Sequence, residues 1–231
     1  MINKMLLAGM MAAVGFAISS PAQAVFIGNT QGGTDFPQGA ISFADTLISY
    51  TPAGPPSVPH QGGFNALGLP DYAGVNSCAS QAACTFVSLG GGGSIVLRFD
   101  DNKLTGSDDN ALDIWVFEVG PNVEDTFVDI SKDGVTWTSV GKVFGSTAGI
   151  DIDAFGFTSA DLFGYVRLTD DISEGGTGSG GTVGADIDAV GAISTVPTTV
   201  PEPGSLILAA IGFLAMWMGA TRRRTANLNL R

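Results

Sequence analysis

The chain has 231 residues, 45% of them hydrophobic and 14% charged, with 22 acidic against 10 basic side chains. That length allows one domain of ordinary size plus short terminal segments. Between residues 25 and 200, five basic residues face 21 acidic ones, and this net −16 excludes nucleic acid as a partner while favouring cations such as Ca²⁺.

In chain order, the first element is an export signal. Lys4 supplies a positive start, residues 5–18 are apolar, and Ala22-Gln23-Ala24 provides a small-x-small cleavage site. Residues 1–24 therefore read as a secretory signal peptide, cut before Val25 by signal peptidase after passage through the general secretion machinery. An uncleaved anchor is disfavoured because the apolar run is short. Residues 51–64, TPAGPPSVPHQGGF, are a Pro/Gly-rich loop. Cys78 and Cys84 follow in the polar stretch SCASQAACT. In an exported chain they read as a short-loop disulfide that contributes about 2 kcal/mol at best. Zinc is disfavoured, because His60 is the only histidine available to complete a thiolate site.

The rest of the body has β periodicity. Strands are predicted over 85–89, 94–99, 112–119, 126–131, 135–140, 150–155, 164–169 and 186–194. In SIVLRF, Ile95, Leu97 and Phe99 alternate with Val96 and Arg98, as in a sheet with one face on a core. Asp133-Gly134 between two strand-like runs signals a hairpin. Gly90 to Gly93 must be a turn, and DISEGGTGSGGTVG, residues 171–184, is a second loop. Some eight strands with short turns predict an all-β, two-sheet sandwich over residues 25–196.

Nucleophilic catalysis lacks its parts: His60 is the one imidazole, and there is no Gly-x-Ser-x-Gly elbow. The four glycines at 90–93 lack the Gly-Lys-Ser/Thr ending of a phosphate loop. Carboxylates are abundant instead, as Asp100-Asp101, Asp108-Asp109 with Asp113, Asp151-x-Asp153 and Asp186-x-Asp188. Oxygen clusters of this kind suit Ca²⁺. Asp108, Asp109, Asp113, Asp186 and Asp188 are the candidate ligands, with a solvated acidic rim as the plainer alternative. Asp186 and Asp188, two apart in a strand, are expected on one face. A glycosidase using two aspartates is the enzymatic rival. Among the aromatics, Tyr72, Trp115, Trp137 and Tyr165 are candidates for stacking on a sugar, with Tyr50 and Tyr72 the better placed near loops and the tryptophans expected in the core.

Residues 197–231 form a separate segment. It contains Pro201-Glu202-Pro203, an apolar run over 205–220, and a basic tail over 221–231 with Arg222, Arg223 and Arg224. As a helix the run is about 24 Å long, a little short for a bilayer. It is apolar on all sides, so it reads as a single transmembrane helix with its C-terminus held at the cytoplasmic side. The two prolines keep the approach to it extended.

Triplet, apolar span and basic stop in this order resemble the PEP-CTERM sorting signal of Gram-negative bacteria; the same tail is also catalogued as an ice-binding protein C-terminal domain, although no Thr-rich array is present. The resemblance implies recognition by exosortase, a membrane-embedded cysteine protease-transpeptidase, transient residence in the inner membrane, and release to the envelope or extracellular matrix, often in biofilm formers. The runs FNALGLPDY, FVSLGGGGSIVLRF, LDIWVFEVG, VDISKDGVTW, YVRLTD and GADIDAVGAI resemble secreted domains with a galactose-binding-like, jelly-roll architecture. Together the resemblances imply a non-enzymatic surface or matrix protein that binds polysaccharide with Ca²⁺ help. The alternatives are an exopolysaccharide-active enzyme using paired aspartates and a purely structural matrix protein.

Overall fold

A computed structural model describes residues 24–54, 56–75, 78–120, 124–174 and 181–198. The expected signal peptide and the expected transmembrane helix lie outside the described residues. Among those described, no helix is long and apolar enough to cross a membrane.

The strands are β1 (Val25–Asn29), β2 (Gly32–Phe36), β3 (Thr46–Thr51), β4 (Val87–Ser88), β5 (Ser94–Arg98), β6 (Asn102–Leu104), β7 (Ile114–Glu118), β8 (Thr126–Ser131), β9 (Thr138–Val143), β10 (Thr147–Ile150), β11 (Tyr165–Asp170), β12 (Asp186–Ala192) and β13 (Thr195–Pro197). Two antiparallel sheets dominate, ordered β10-β7-β12-β4 and β3-β5-β11-β8-β9. Their inner faces share one core: Val116, Ile187 and Val190 come from the first sheet, and Ile95, Leu97, Val128, Ile130, Val166 and Leu168 from the second. The chain is therefore a β-sandwich. The alternation read in 94–99 and 164–169 is this arrangement, with 95, 97, 166 and 168 buried and their neighbours half-buried.

The four-stranded sheet is covered on its outer side as well. The β1–β2 hairpin and the turn after it bring Phe36 and Phe43 against Phe117 and Ala189. Strand β12 is consequently buried at every position. Gly191 is required at this contact, since a Cβ there would lie 2.7 Å from the Phe36 ring.

Two strands lie elsewhere than the sequence pattern predicts, and aspartates are the reason in both cases. β9 starts at Thr138 rather than 135, because Asp133 Oδ1 accepts the N–H groups of Val135 and Thr136 and prolongs the turn. β10 spans Thr147–Ile150 rather than 150–155. There Asp151 Oδ1 accepts the N–H of Asp153, and residues 153–155 turn as a short 3₁₀ helix. The glycine turn at 90–93 joins β4 to β5, with Gly90 at φ 77° and its Cα packed under the Ala53 carbonyl, where a Cβ would collide. Cys78 and Cys84 are joined by a disulfide.

Candidate functional site

The body's few cations are all engaged. Arg98 pairs with Asp100, Lys132 with Asp161, and Arg167 with Asp129. Lys103 Nζ donates to the Phe99 carbonyl. Lys142 Nζ sits 2.8 Å from both Asp125 and Asp171 and 3.7 Å from Glu174. The ammonium already fills that acidic cup, and its hydrogen bond holds Asp171 down at about 2. The remaining carboxylates must find other partners.

Asp113, Asp151 and Asp153 come together at one end of the sandwich, each offering a carboxylate oxygen within 4.8 Å of the others. Backbone donors fix them: the N–H of Ile152 donates to Asp113 Oδ2 at 2.8 Å, and those of Ser107 and Asp108 donate to Asp153 at 2.8 and 3.1 Å. Asp113 is fully buried, and burial pushes its carboxyl up. Of the other expected ligands, Asp108 and Asp109 are exposed and line an open pocket of about 430 Å³ with Asn110 and Asp153. The Asp108 side chain accepts the Ser159 N–H instead of joining the group.

Asp186 and Asp188 lie elsewhere, in β12. A register shift between Ile187 and Ala189 makes Asp188 the bulged residue, so the strict alternation behind a shared face is broken. Asp188 ties down the N-terminal region, accepting from Asn29 Nδ2 and from the N–H groups of Asp71 and Tyr72; burial raises it to about 6. Asp186 accepts from Ser88 Oγ and belongs to a group of interior acids whose other members, Glu118, Glu124 and Asp170, were not among the sequence-based candidates. Glu118 is fully buried, raised to about 10 by desolvation and then by the charge of Asp186. Asp186 itself is raised to about 8, and Glu124 to about 7, each mainly by burial. Asp170, also pushed up by burial, accepts the N–H groups of Gly92 and Ala185. The sequence signal for this group was Glu118 itself, a lone acid inside the apolar run IWVFEVG.

A different chemistry occupies the outer face of the five-stranded sheet. Tyr165 and Arg167 of β11 stand in register with Arg98 and Val96 of β5 and with Ser131 and Asp129 of β8. Arg167 Nε and Nη2 both donate to Asp129 Oδ2, and its guanidinium lies 4.7 Å from the half-buried Trp137 ring. Tyr72, expected near the surface, is instead 5% exposed and packs edge-on against Phe86. Trp115 is half-buried against the second core. His60 is buried, with Nδ1 2.8 Å from Ser57 Oγ. It lies near the two cysteines, whose sulfurs are committed to their disulfide.

The described chain ends on a tether. β13 pairs with β6, and Thr198 adds two bonds of 2.8 Å, from its N–H to the Asp101 carbonyl and from its hydroxyl to the Asp100 carbonyl. Folded structure thus runs to the residue before the tail. Residues 199–224 match the PEP-CTERM protein-sorting motif. The motif implies an exported protein processed at the membrane, with exosortase as the processing partner. Pro201, Glu202, Pro203 and the three arginines fall inside it. No curated protein matches the chain. Among solved structures, the C-terminal domain of a chitobiase from Bacteroides fragilis aligns at 17% identity over 47% of this chain and 64% of that domain, with a TM-score of 0.28. That likeness is too low to inform fold or function.

Proposed function

We propose that this chain is an exported envelope or matrix protein, held in the inner membrane by its tail, released by exosortase, and active there as a non-enzymatic polysaccharide-binding sandwich of galactose-binding-like type with Ca²⁺ help. The observation that carries the reading is the sorting motif at residues 199–224, which begins directly after Thr198, a residue hydrogen-bonded to the sandwich. A folded module followed at once by a processing signal is a cargo with its address attached.

Binding rather than catalysis is supported by where the perturbed carboxyls sit. Glu118 and Asp186 are 0% and 3% exposed, so a glycan cannot reach them as acid and base. The outer sheet face, by contrast, presents Trp137 and Tyr165 beside the Arg167–Asp129 pair. Flat aromatic surface with fixed polar groups is the chemistry that holds a sugar ring.

Replacing Pro201-Glu202-Pro203 by three alanines is expected to leave the protein in the inner-membrane fraction. Release equal to wild type would overturn the sorting account.

A further inference from the structure

We propose that Asp113, Asp151 and Asp153 form a divalent-cation site, for Ca²⁺, which braces the start of β7 against the turn after β10. This site gives a location to the Ca²⁺ component of the proposed function and rests on that component alone; sorting and glycan binding can fail without touching it.

Ca²⁺ holds oxygens at 2.3–2.6 Å, so two ligands of one ion lie at most about 5 Å apart. The three carboxylates already offer oxygens within 4.8 Å of one another. Small side-chain adjustments are enough for a single ion to bridge all three. The ligands are oxygen only, which suits a hard cation rather than zinc or copper.

Independently of the clustering, Asp113 carries an unmet bonding need. It is fully buried, and its Oδ1 has no hydrogen-bond partner among the described residues, although its Oδ2 accepts the Ile152 N–H. Ser194 and Ser107 lie close enough to lower its pKa without closing a bond to Oδ1. A buried carboxylate oxygen left unpaired is costly and uncommon in a native fold. Here it belongs to a group whose other members, Asp151 and Asp153, are half-buried and open toward solvent. Water entering from the pocket beside Asp153 can supply the remaining ligands that Ca²⁺ requires. No lysine or arginine lies within ion-pairing distance of the three carboxylates among the described residues.

The neighbourhood gives the ion a mechanical consequence. The Asp113 carbonyl accepts the Ile193 N–H at 2.7 Å, and the Ser194 carbonyl accepts the Thr105 N–H at 2.9 Å. These residues lead directly into β13. An ion at Asp113 stiffens the strand from which the sorting tail departs.

The test uses the full chain in detergent, stripped with EDTA and titrated with CaCl₂ by calorimetry, with melting followed in parallel. One saturable Ca²⁺ per chain and a raised melting temperature are expected. Asp151→Asn, half-exposed and compatible with folding, should weaken binding at least tenfold and abolish the melting shift; Asp186→Asn should leave both intact. Asp113→Asn should lose binding as well, but Asp151→Asn is the deciding variant because that side chain is not a core contact. Absence of saturable heat in wild type, or wild-type affinity in Asp151→Asn, would overturn the site. Equal affinity for MgCl₂ would overturn the assignment to Ca²⁺.

Discussion

Glu118 is an acid at the end of an apolar strand, and its surroundings decide its charge. Asp186, Glu124 and Asp170 act on it electrostatically, and its Oε2 has no hydrogen-bond partner among the described residues. In the unfolded chain a carboxyl loses its proton at roughly pH 4. In the fold Glu118 keeps its proton to about 10 and Asp186 to about 8. Between those limits the folded state binds more protons than the unfolded state, so stability falls as pH rises. The contribution is complete below roughly pH 4 and is lost as pH climbs through the folded values. Glu118→Gln keeps the acceptor for the Asp186 N–H and removes the charge. It is expected to flatten the alkaline part of the profile and to stabilise the protein near pH 9 by on the order of 1–3 kcal/mol. Chemical denaturation across pH checks this; a variant less stable than wild type in alkali would contradict it.

At the scale of elements, the outer face of the five-stranded sheet carries the binding expectation. Trp137 stands at the entry to β9, over an arginine that Asp129 fixes from β8. Trp137→Ala should therefore lower retention on matrix polysaccharide at least tenfold, with melting nearly unchanged and no glycan turnover by either protein. Retention equal to wild type would remove this face from the account. Strand-level legibility followed side-chain alternation. β5 and β11 could be read because their inner and outer residues alternate cleanly, and β8 because it alternates over most of its length. β1, β2, β6 and β13 could not, being short and rich in glycine or polar residues, and β3 is mostly half-exposed. The boundaries of β9 and β10 moved because Asp133 and Asp151 bind backbone N–H groups, a local competition that hydrophobic periodicity does not register. The same aspartate chemistry hid the site. Asp113 stood out beside Asp108 and Asp109, yet its partners are Asp151 and Asp153, brought in from a turn about forty residues away. The bulge at Asp188 likewise has no signature in the alternation of DIDAV.

For the whole molecule, an acidic β-sandwich with its scarce cations all engaged is followed in the sequence by a sorting motif. Among the described residues the tertiary hydrogen bonds reach as far as Thr198, and the match begins at residue 199. The C-terminal tail was the most legible part of the sequence, its triplet and basic stop falling inside the matched motif, because a short sorting segment is written in local composition. The ligand of the sandwich was the least legible, because sheet faces are assembled from distant strands. The central claim, that the tail is an address removed during export, is tested most directly by the intact mass of the protein recovered outside the inner membrane. The expected product is a polypeptide that begins at Val25 and lacks the apolar run and Arg222, Arg223 and Arg224. A recovered mass that still includes the apolar run and those arginines would contradict it.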